Sequence, residues 1–421
     1  MRALLRESWL SASLVLIVIG LMAESVPLVG LGALVLGMGG AARLWSRLSL
    51  EGVEYGRDLA ERRVFVGERV ALTLRLANNK LLPVPWIEVR ERLPGGAPLV
   101  EGRTSLSGSA GFVYLTRTTA LRSADHLEWP LELRAVMRGY HHMGPARLRS
   151  GDLFGLFERE ETAGGSEMLI VYPRTYPLPD LGLASARPFG EQHGGPRIFP
   201  DPTRVVGVRD YVPGDPLKQI DWNATARAGR PQSRLYEPSR EHAVVVALDV
   251  MTFGQTWEGT DPLLLERGVT VAASILRDAF ESGGAIGLIA NGALPESDRA
   301  VRLGAGRRPD QLARVLEALA GTNPFAMAPL SAELERPGEA LPLGATLVVV
   351  GALLPPDLAA TLTRLRGQGH AVHVVKTSSH RWEHSLGTIP VTEIAPFAEA
   401  LEARVEAEAE FAPSRARVVL Q

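Results

Sequence analysis

Hydrophobic and polar positions divide the chain into three textures. The first is two uncharged apolar runs, Ser8–Ala23 and Val26–Ala42, separated only by Glu24-Ser25. Each predicts a helix, and about 16 residues at roughly 1.5 Å rise span near 25 Å, slightly under the roughly 30 Å of a hydrocarbon core. Bilayer thinning and snorkelling close such a gap. The runs therefore predict a transmembrane helical hairpin over residues 1–48. The competing accounts are a cleaved signal peptide or a buried core hairpin, and no small-residue cleavage site follows the first run. Arg2 and Arg6 precede the hairpin, Arg43 and Arg47 follow it, and the turn carries Glu24 alone. That asymmetry places both ends at the cytoplasmic face of an inner membrane, with Trp9 and Trp45 as anchors at one interface.

The second texture, residues 49–163, consists of short alternating or β-branched runs: Val64–Val66, Val70–Leu76, Trp86–Glu91, Gly111–Thr118 and Leu131–Ala135. Gly, Pro and Asn punctuate them, which predicts an all-β sandwich. Gly151-Asp152-Leu153-Phe154-Gly155-Leu156 reads as a tight turn at a strand end, with Asp152 as its cap. Residues 164–203 are rich in Gly and Pro and predict a linker, broken by a strand over Met168–Tyr172.

The third texture, residues 242–421, alternates strand and helix patterns. Strands are expected at Ala243–Val250, Gly284–Ala290, Ala300–Leu303, Ala345–Val350 and Ala371–Lys376. Helices are expected at Pro262–Glu281, Pro309–Ala320, Pro356–Gly367 and Pro396–Glu410. This order predicts an α/β doubly wound sheet with right-handed crossovers. The last helix is acidic (Glu399, Glu402, Glu406, Glu408 and Glu410 against Arg404), which reads as a solvated face or, second, as a docking strip for a basic surface.

Between the last two textures lies the stretch around which the chain is organised, residues 204–241. Pro213-Gly214-Asp215 predicts a turn. Asp221-Trp222 then precedes a short segment holding Ala224, Ala226 and Arg227. Seven Arg or Lys stand against Asp210, Asp215, Asp221 and Glu237 over Arg204–Arg240, which predicts internal ion pairs plus outward basic side chains. Read from Arg209 to Arg227, R-D-Y-x-P-G-D-x-x-x-x-I-D-W-x-A-x-A-R resembles the signature of the bacterial family known as domain of unknown function fifty-eight. The resemblance implies a multidomain chain: membrane hairpin, β-sandwich, this signature, and a domain similar to von Willebrand factor A. It also implies a MoxR-type AAA+ ATPase as partner and a recognition surface at Arg209, Tyr211, Gly214, Asp215, Asp221, Trp222 and Arg227.

Composition narrows the chemistry. A net charge of −2 excludes bulk attraction to nucleic acid. The chain has no cysteine, which excludes disulfides, thiol nucleophiles and Cys-ligated zinc. Domains similar to von Willebrand factor A place a divalent ion at an Asp-x-Ser-x-Ser strand end, since hard cations take carboxylate and hydroxyl oxygens. Here those positions are Asp249, Met251 and Phe253, and Asp249 is expected to cap a turn or pair with an Arg. His380-Arg381-Trp382-Glu383-His384 matches H-x-x-E-H, but it follows a strand in a Ser- and Gly-flanked loop. His370 and His373 are an odd number of residues apart, which is poor spacing for co-ligands on a strand. Asp215 and Asp221 resemble an acid–base pair but are better read as partners of Arg209, Lys218 or Arg227. No P-loop, GxGxxG or nucleophile elbow is present. The reading is a membrane-anchored, non-enzymatic scaffold or adaptor without a cofactor. Its alternative is a Mg- or Mn-dependent adhesion or hydrolytic module using Asp249. No motif specifies an oligomeric state.

Overall fold

The computed structural model describes residues 2–106, 108, 111–153, 155–183, 200–212, 220–238, 243–254, 258–295, 297, 299–337, 341–342 and 344–411, with backbone alone at 2–8, 200–206, 235–238 and 404–411. It forms two compact units: Met1–Arg174 with Leu319–Gly321 and Ala403–Gln421, and Thr175–Ala318 with Thr322–Glu402.

The first unit opens with helices α1 (Arg2–Met22) and α2 (Val26–Ser49). The second helix continues past Ala42, because Arg43–Ser49 contains neither Gly nor Pro and charge alone does not end a helix. Among the described residues one helix is long and apolar enough to cross a membrane, α2, with 24 residues. Trp9–Met22 is a shorter apolar helix, since Arg6 and Glu7 end its uncharged part. Glycines let the two backbones approach. A Cβ on Gly39 would fall 2.1 Å from the Trp9 ring, and one on Gly32 would fall 2.6 Å from Ile17. Leu14, Val15, Ile19, Leu31 and Leu34 point outward and are exposed.

Eleven strands follow: β1 (Val53–Leu59), β2 (Arg63–Phe65), β3 (Arg69–Asn78), β4 (Val84–Pro94), β5 (Thr104–Leu106), β6 (Phe112–Leu121), β7 (His126–Arg134), β8 (Gly139–Met143), β9 (Ala146–Gly151), β10 (Glu158–Ala163) and β11 (Glu167–Tyr172). They form sheets ordered β1-β3-β7, β10-β9-β4-β6-β5 and β2-β11-β8. Residues Val70, Leu72, Leu74 and Leu76 of β3 alternate inward, as period-two burial requires. The first three pack with Leu93, Leu115, Leu133, Met143, Leu169 and Val171, so all three sheets share one apolar core. β11 comes from the segment expected as a linker, yet it pairs with both β2 and β8.

One ion pair is sealed inside this unit. Glu91 is fully buried; Arg57 meets it through Nε at 2.9 Å and Nη2 at 2.6 Å, and the Tyr55 hydroxyl donates to it at 2.5 Å. Burial pushes the Glu91 carboxyl up, while Arg57 pulls it back. The end of α2 is held from the sheets. Lys80 Nζ donates to the carbonyls of Leu48 and Ser49, both at 2.5 Å, and Arg159 donates to the carbonyl of Arg47 at 2.6 Å. Those carbonyls belong to the group a helix terminus leaves unsatisfied.

The second unit contains an antiparallel pair, β12 (Pro200–Asp210) and β13 (Gln232–Pro238), with helix α3 (Trp222–Ala228) between them. The remaining strands are β14 (Ala243–Leu248), β15 (Ala285–Ala293), β16 (Ala300–Gly306), β17 (Thr346–Gly351), β18 (Ala371–Lys376) and β19 (Val391–Glu393). They make one mixed sheet ordered β16-β15-β14-β17-β18-β19, in which β16 alone runs antiparallel to its neighbour. Helices α4 (Pro262–Glu281), α5 (Gln311–Gly321), α6 (Leu330–Glu335), α7 (Pro356–Gly367) and α8 (Ala395–Phe411) accompany it. α4 packs on β14, β15 and β17. Val245, Ala247, Val349 and Val374, from strands in the middle of the sheet, share a second core with Leu334 of α6 and Leu358 and Leu362 of α7.

The glycine contacts between α1 and α2 are testable. A Gly39→Leu variant in detergent is expected to lose about 1–3 kcal/mol through overpacking. Gly40→Leu, whose Cβ meets nothing within 4 Å, is expected to melt like wild type. Equal melting temperatures for the two variants would refute this packing.

Candidate functional site

The signature segment folds as strand, helix and strand on a tightly bonded frame. Asp221 is the N-cap of α3: its carboxylate accepts from Ala224 N–H at 3.0 Å, and Gly229 closes the other end at φ +65°. Ser/Thr/Asp caps and C′ glycines are the usual ends of a short helix. Arg234 Nε of β13 donates to the second Asp221 oxygen at 3.1 Å. The Ala224 N–H and Arg234 hold this carboxyl below the ordinary aspartate range. Thr225 Oγ1 accepts from Gln232 N–H at 2.9 Å, and the Gln232 amide donates to Asp210 at 2.6 Å. Arg230 pairs with Asp210 at 3.2 Å, and Tyr211 N–H donates to the Pro231 carbonyl at 3.0 Å.

These bonds bring together Asp221, Arg234, Asp210 and Gln232; the last two and Arg234 were not among the expected site residues. Asp221 is bonded by Arg234 of the adjacent β13, which was not among the expected partners Arg209, Lys218 and Arg227. Arg209 donates to the Asp210 carbonyl at 3.2 Å. Arg227 is exposed on the last turn of α3. Gly214 and Asp215 lie outside the described residues, as does Lys218. Trp222, the first residue of α3, is 70% exposed. The frame thus presents one large aromatic ring to solvent on an immobilised helix start.

The second candidate is the rim where the parallel strands end. Counted from β14, the sheet order is that of the doubly wound fold whose ligands lie beyond the strand carboxyl ends at the switch point. Asp249 leaves β14 there and is buried. Its Oδ1 accepts from Met251 N–H at 3.0 Å and from Asn291 Nδ2 at 2.8 Å. Asn291 Oδ1 in turn accepts from Val250 N–H at 2.9 Å. Asp249 therefore caps a turn, as one of the two expectations had it, and its side-chain partner is an amide instead of an arginine. Burial pushes its carboxyl up, while the Met251 N–H and Asn291 pull it down. Thr252 Oγ1 accepts from Asp261 N–H at 2.7 Å, so the neighbouring hydroxyl is occupied in starting α4. Among the described residues, no group of three or more His, Asp or Glu is disposed to hold a metal ion.

The H-x-x-E-H stretch is loop, with His380 and His384 exposed, so the helix face that a zinc pair requires is absent there. Its Trp382 instead donates to the Ala352 carbonyl at 3.0 Å and lies 5.6 Å from Lys376 Nζ. His370 is buried, and His373 meets Thr392 Oγ1 at 3.0 Å. The acidic last helix is not wholly a solvated face. Glu402 takes buried Arg267 of α4 in two bonds, 3.0 and 2.8 Å, and Arg267 also donates to the Thr377 carbonyl at 2.9 Å.

The strand–helix–strand frame and the following sheet are one contiguous stretch of sequence, and a family comparison covers it. Residues 207–394 match the family described as "Protein of unknown function DUF58". The DUF58 match begins within β12 and ends just after β19, leaving the first unit's helices and sheets outside it. A relative from Bacillus subtilis (strain 168), "Uncharacterized protein YeaD", is 24% identical over 259 residues, 60% of this chain and 59% of that protein. The chain thus spans under two thirds of that relative. Among solved structures, the CARDB domain of a Pyrococcus furiosus protein has a TM-score of 0.20 at 12% identity, covering 28% of this chain and 91% of that one. A cohesin module from a Clostridium perfringens glycoside hydrolase has a TM-score of 0.21 at 12% identity, covering 28% and 96%. Scores this low assign neither a fold nor a role.

The rim yields a pH prediction. The raised pKa of Asp249 means that its ionisation costs stability. That contribution is fully present below the unfolded value of about 4 and is lost as pH rises through the folded value. Asp249→Asn keeps an acceptor for Met251 and Asn291. Its stability relative to wild type, from urea unfolding, is therefore expected to rise with pH above about 4. A difference that stays constant with pH would exclude a costly buried charge.

Proposed function

We propose that this protein is a membrane-anchored, non-enzymatic scaffold. The N-terminal hairpin sits in the cytoplasmic membrane with the soluble parts on the cytoplasmic side, and the strand-rich part is read as a β-sandwich. The α/β domain is read as similar to von Willebrand factor A, and the partner as a MoxR-type AAA+ ATPase, both from the signature resemblance. In this reading the ATPase supplies the energy and this chain supplies position.

The observation that carries the proposal is Trp222, 70% exposed on a helix start capped by Asp221, which Arg234 also bonds. Exposed tryptophan on a rigid frame is the type of side chain that dominates protein–protein binding energy when it is covered. The rim at Asp249 supports a structural role better than a reactive one, since its known bonds tie together the ends of β14 and β15.

The test is co-purification from detergent with a MoxR-type ATPase of the same genome. Trp222→Ala removes an exposed ring, so folding and melting are expected to be unchanged, while recovery of the ATPase falls roughly thirtyfold, the effect of losing about 2 kcal/mol at a hot spot. Full recovery with the variant would remove Trp222 from the contact.

A further inference from the structure

The turn between β9 and β10 carries exposed apolar side chains. It is built tightly. Asp152, 1% exposed, accepts from Phe157 N–H through Oδ1 at 2.6 Å, and its carbonyl accepts from Trp86 Nε1 at 3.0 Å and from Gly155 N–H at 3.2 Å. Gly155 sits at φ +66°, a conformation that L side chains avoid. On this frame Leu153 and Leu156 point away from the protein, 64% and 56% exposed. A turn held by backbone and Asp152 bonds does not itself require leucine at either place.

Its position relative to the helices is fixed by contacts. Phe157, which ends the turn, packs edge-on against Trp9 of α1 with ring centroids 5.8 Å apart, and the Arg43 guanidinium of α2 lies 6.0 Å from the Phe157 ring centre. Trp9 in turn lies against Gly39 of α2. Measured from Val26, a hydrocarbon core of about 30 Å takes roughly 20 residues of helix and ends near Trp45. Gly39 and Arg43 fall short of that end. The turn therefore stands beside helix levels near the headgroup end of that core, and the contacts of Phe157 with Trp9 and Arg43 hold its exposed leucines next to the helices. Arg43 belongs to the same place, since a long basic side chain reaches from that depth to the headgroups.

The geometry points to a second membrane contact: the β9–β10 turn dips Leu153 and Leu156 into the interfacial layer of the bilayer that α2 crosses, so that the sheet unit is seated on the membrane as well as tethered to it. This rests on the membrane-anchored reading of α2. The partner is the lipid surface itself, because Phe157 seats the turn against Trp9 and Arg43 of the two helices read as crossing it.

The chain has no cysteine, so single reporters can be placed cleanly. Leu14→Cys, Leu153→Cys, Leu156→Cys and Ser105→Cys, each in the full chain, are labelled with an environment-sensitive fluorophore. They are then reconstituted in vesicles of phosphatidylcholine and phosphatidylglycerol carrying shallow or deep doxyl lipids. Labels at 14, 153 and 156 are expected to lose most of their emission to doxyl lipid and to be shielded from aqueous iodide. The label at Ser105, exposed on β5, is expected to behave in the opposite way. Lipid quenching at 14 with only iodide quenching at 153 and 156 would overturn the seated turn while leaving the anchor intact. Iodide quenching at 14 as well would overturn both.

Discussion

The junction between α2 and the sheets rests on one electrostatic constraint. A helix exposes its last carbonyls, and their partial negative charge must be met. In this chain Lys80, from the connection after β3, meets two of them with a single ammonium group, and Arg159 of β10 meets a third. The α2 terminus is thereby bonded into the sheet unit, and β1 starts only a few residues later. Burial pulls the Lys80 ammonium below its ordinary range, so part of its bonding to α2 offsets that desolvation. The orientation of these sheets with respect to the hairpin follows from this joint, because the helix end cannot swivel without breaking the bonds of Lys80 and Arg159.

The second unit depends on a different balance. Its central strands are apolar on both faces, which is what a sheet covered by helices on each side demands. Polar groups are admitted only where the strands end. There Asp249 and Asn291 cross-link adjacent strand ends, and Arg267 joins α4, α8 and the end of β18. The bonds that Asp249, Asn291 and Arg267 make at this rim are to other groups of the protein. That arrangement is consistent with a sheet that retains a doubly wound order while its carboxylate serves local structure.

Much of this was legible in the residues. Continuous apolar runs such as Ala243–Val250 and Ala345–Val350 announced buried parallel strands, and β3 announced its inward face by strict alternation. The strands that escaped notice are those whose side chains carry no such signal. β10, Glu158–Ala163, is mostly charged and exposed, and β1 and β9 mix Arg and Gly with their apolar positions. Their identity comes from pairing with neighbours, which no local pattern encodes. At the signature, Asp221 and Gly229 bracket seven residues with the usual chemistry of helix ends, so α3 was readable in principle. The pairing of Asp221 with Arg234 was not, since it depends on a strand returning antiparallel beside the helix. Asp249 was found for its place at a strand end, and its amide partner on β15 was supplied by the sheet register.

The mixed sheet also ends in a particular way on each side. β16 runs against its neighbour with breaks in register, and β19 is only three residues long. Open edges are where sheets recruit further strands from other molecules. Confinement to a membrane plane would raise the local concentration of any anchored chain, making such recruitment far more frequent than in free solution. A reversed, irregular border on one side and a truncated one on the other leave little template for it, so copies of this domain can be crowded together without zipping into a common sheet.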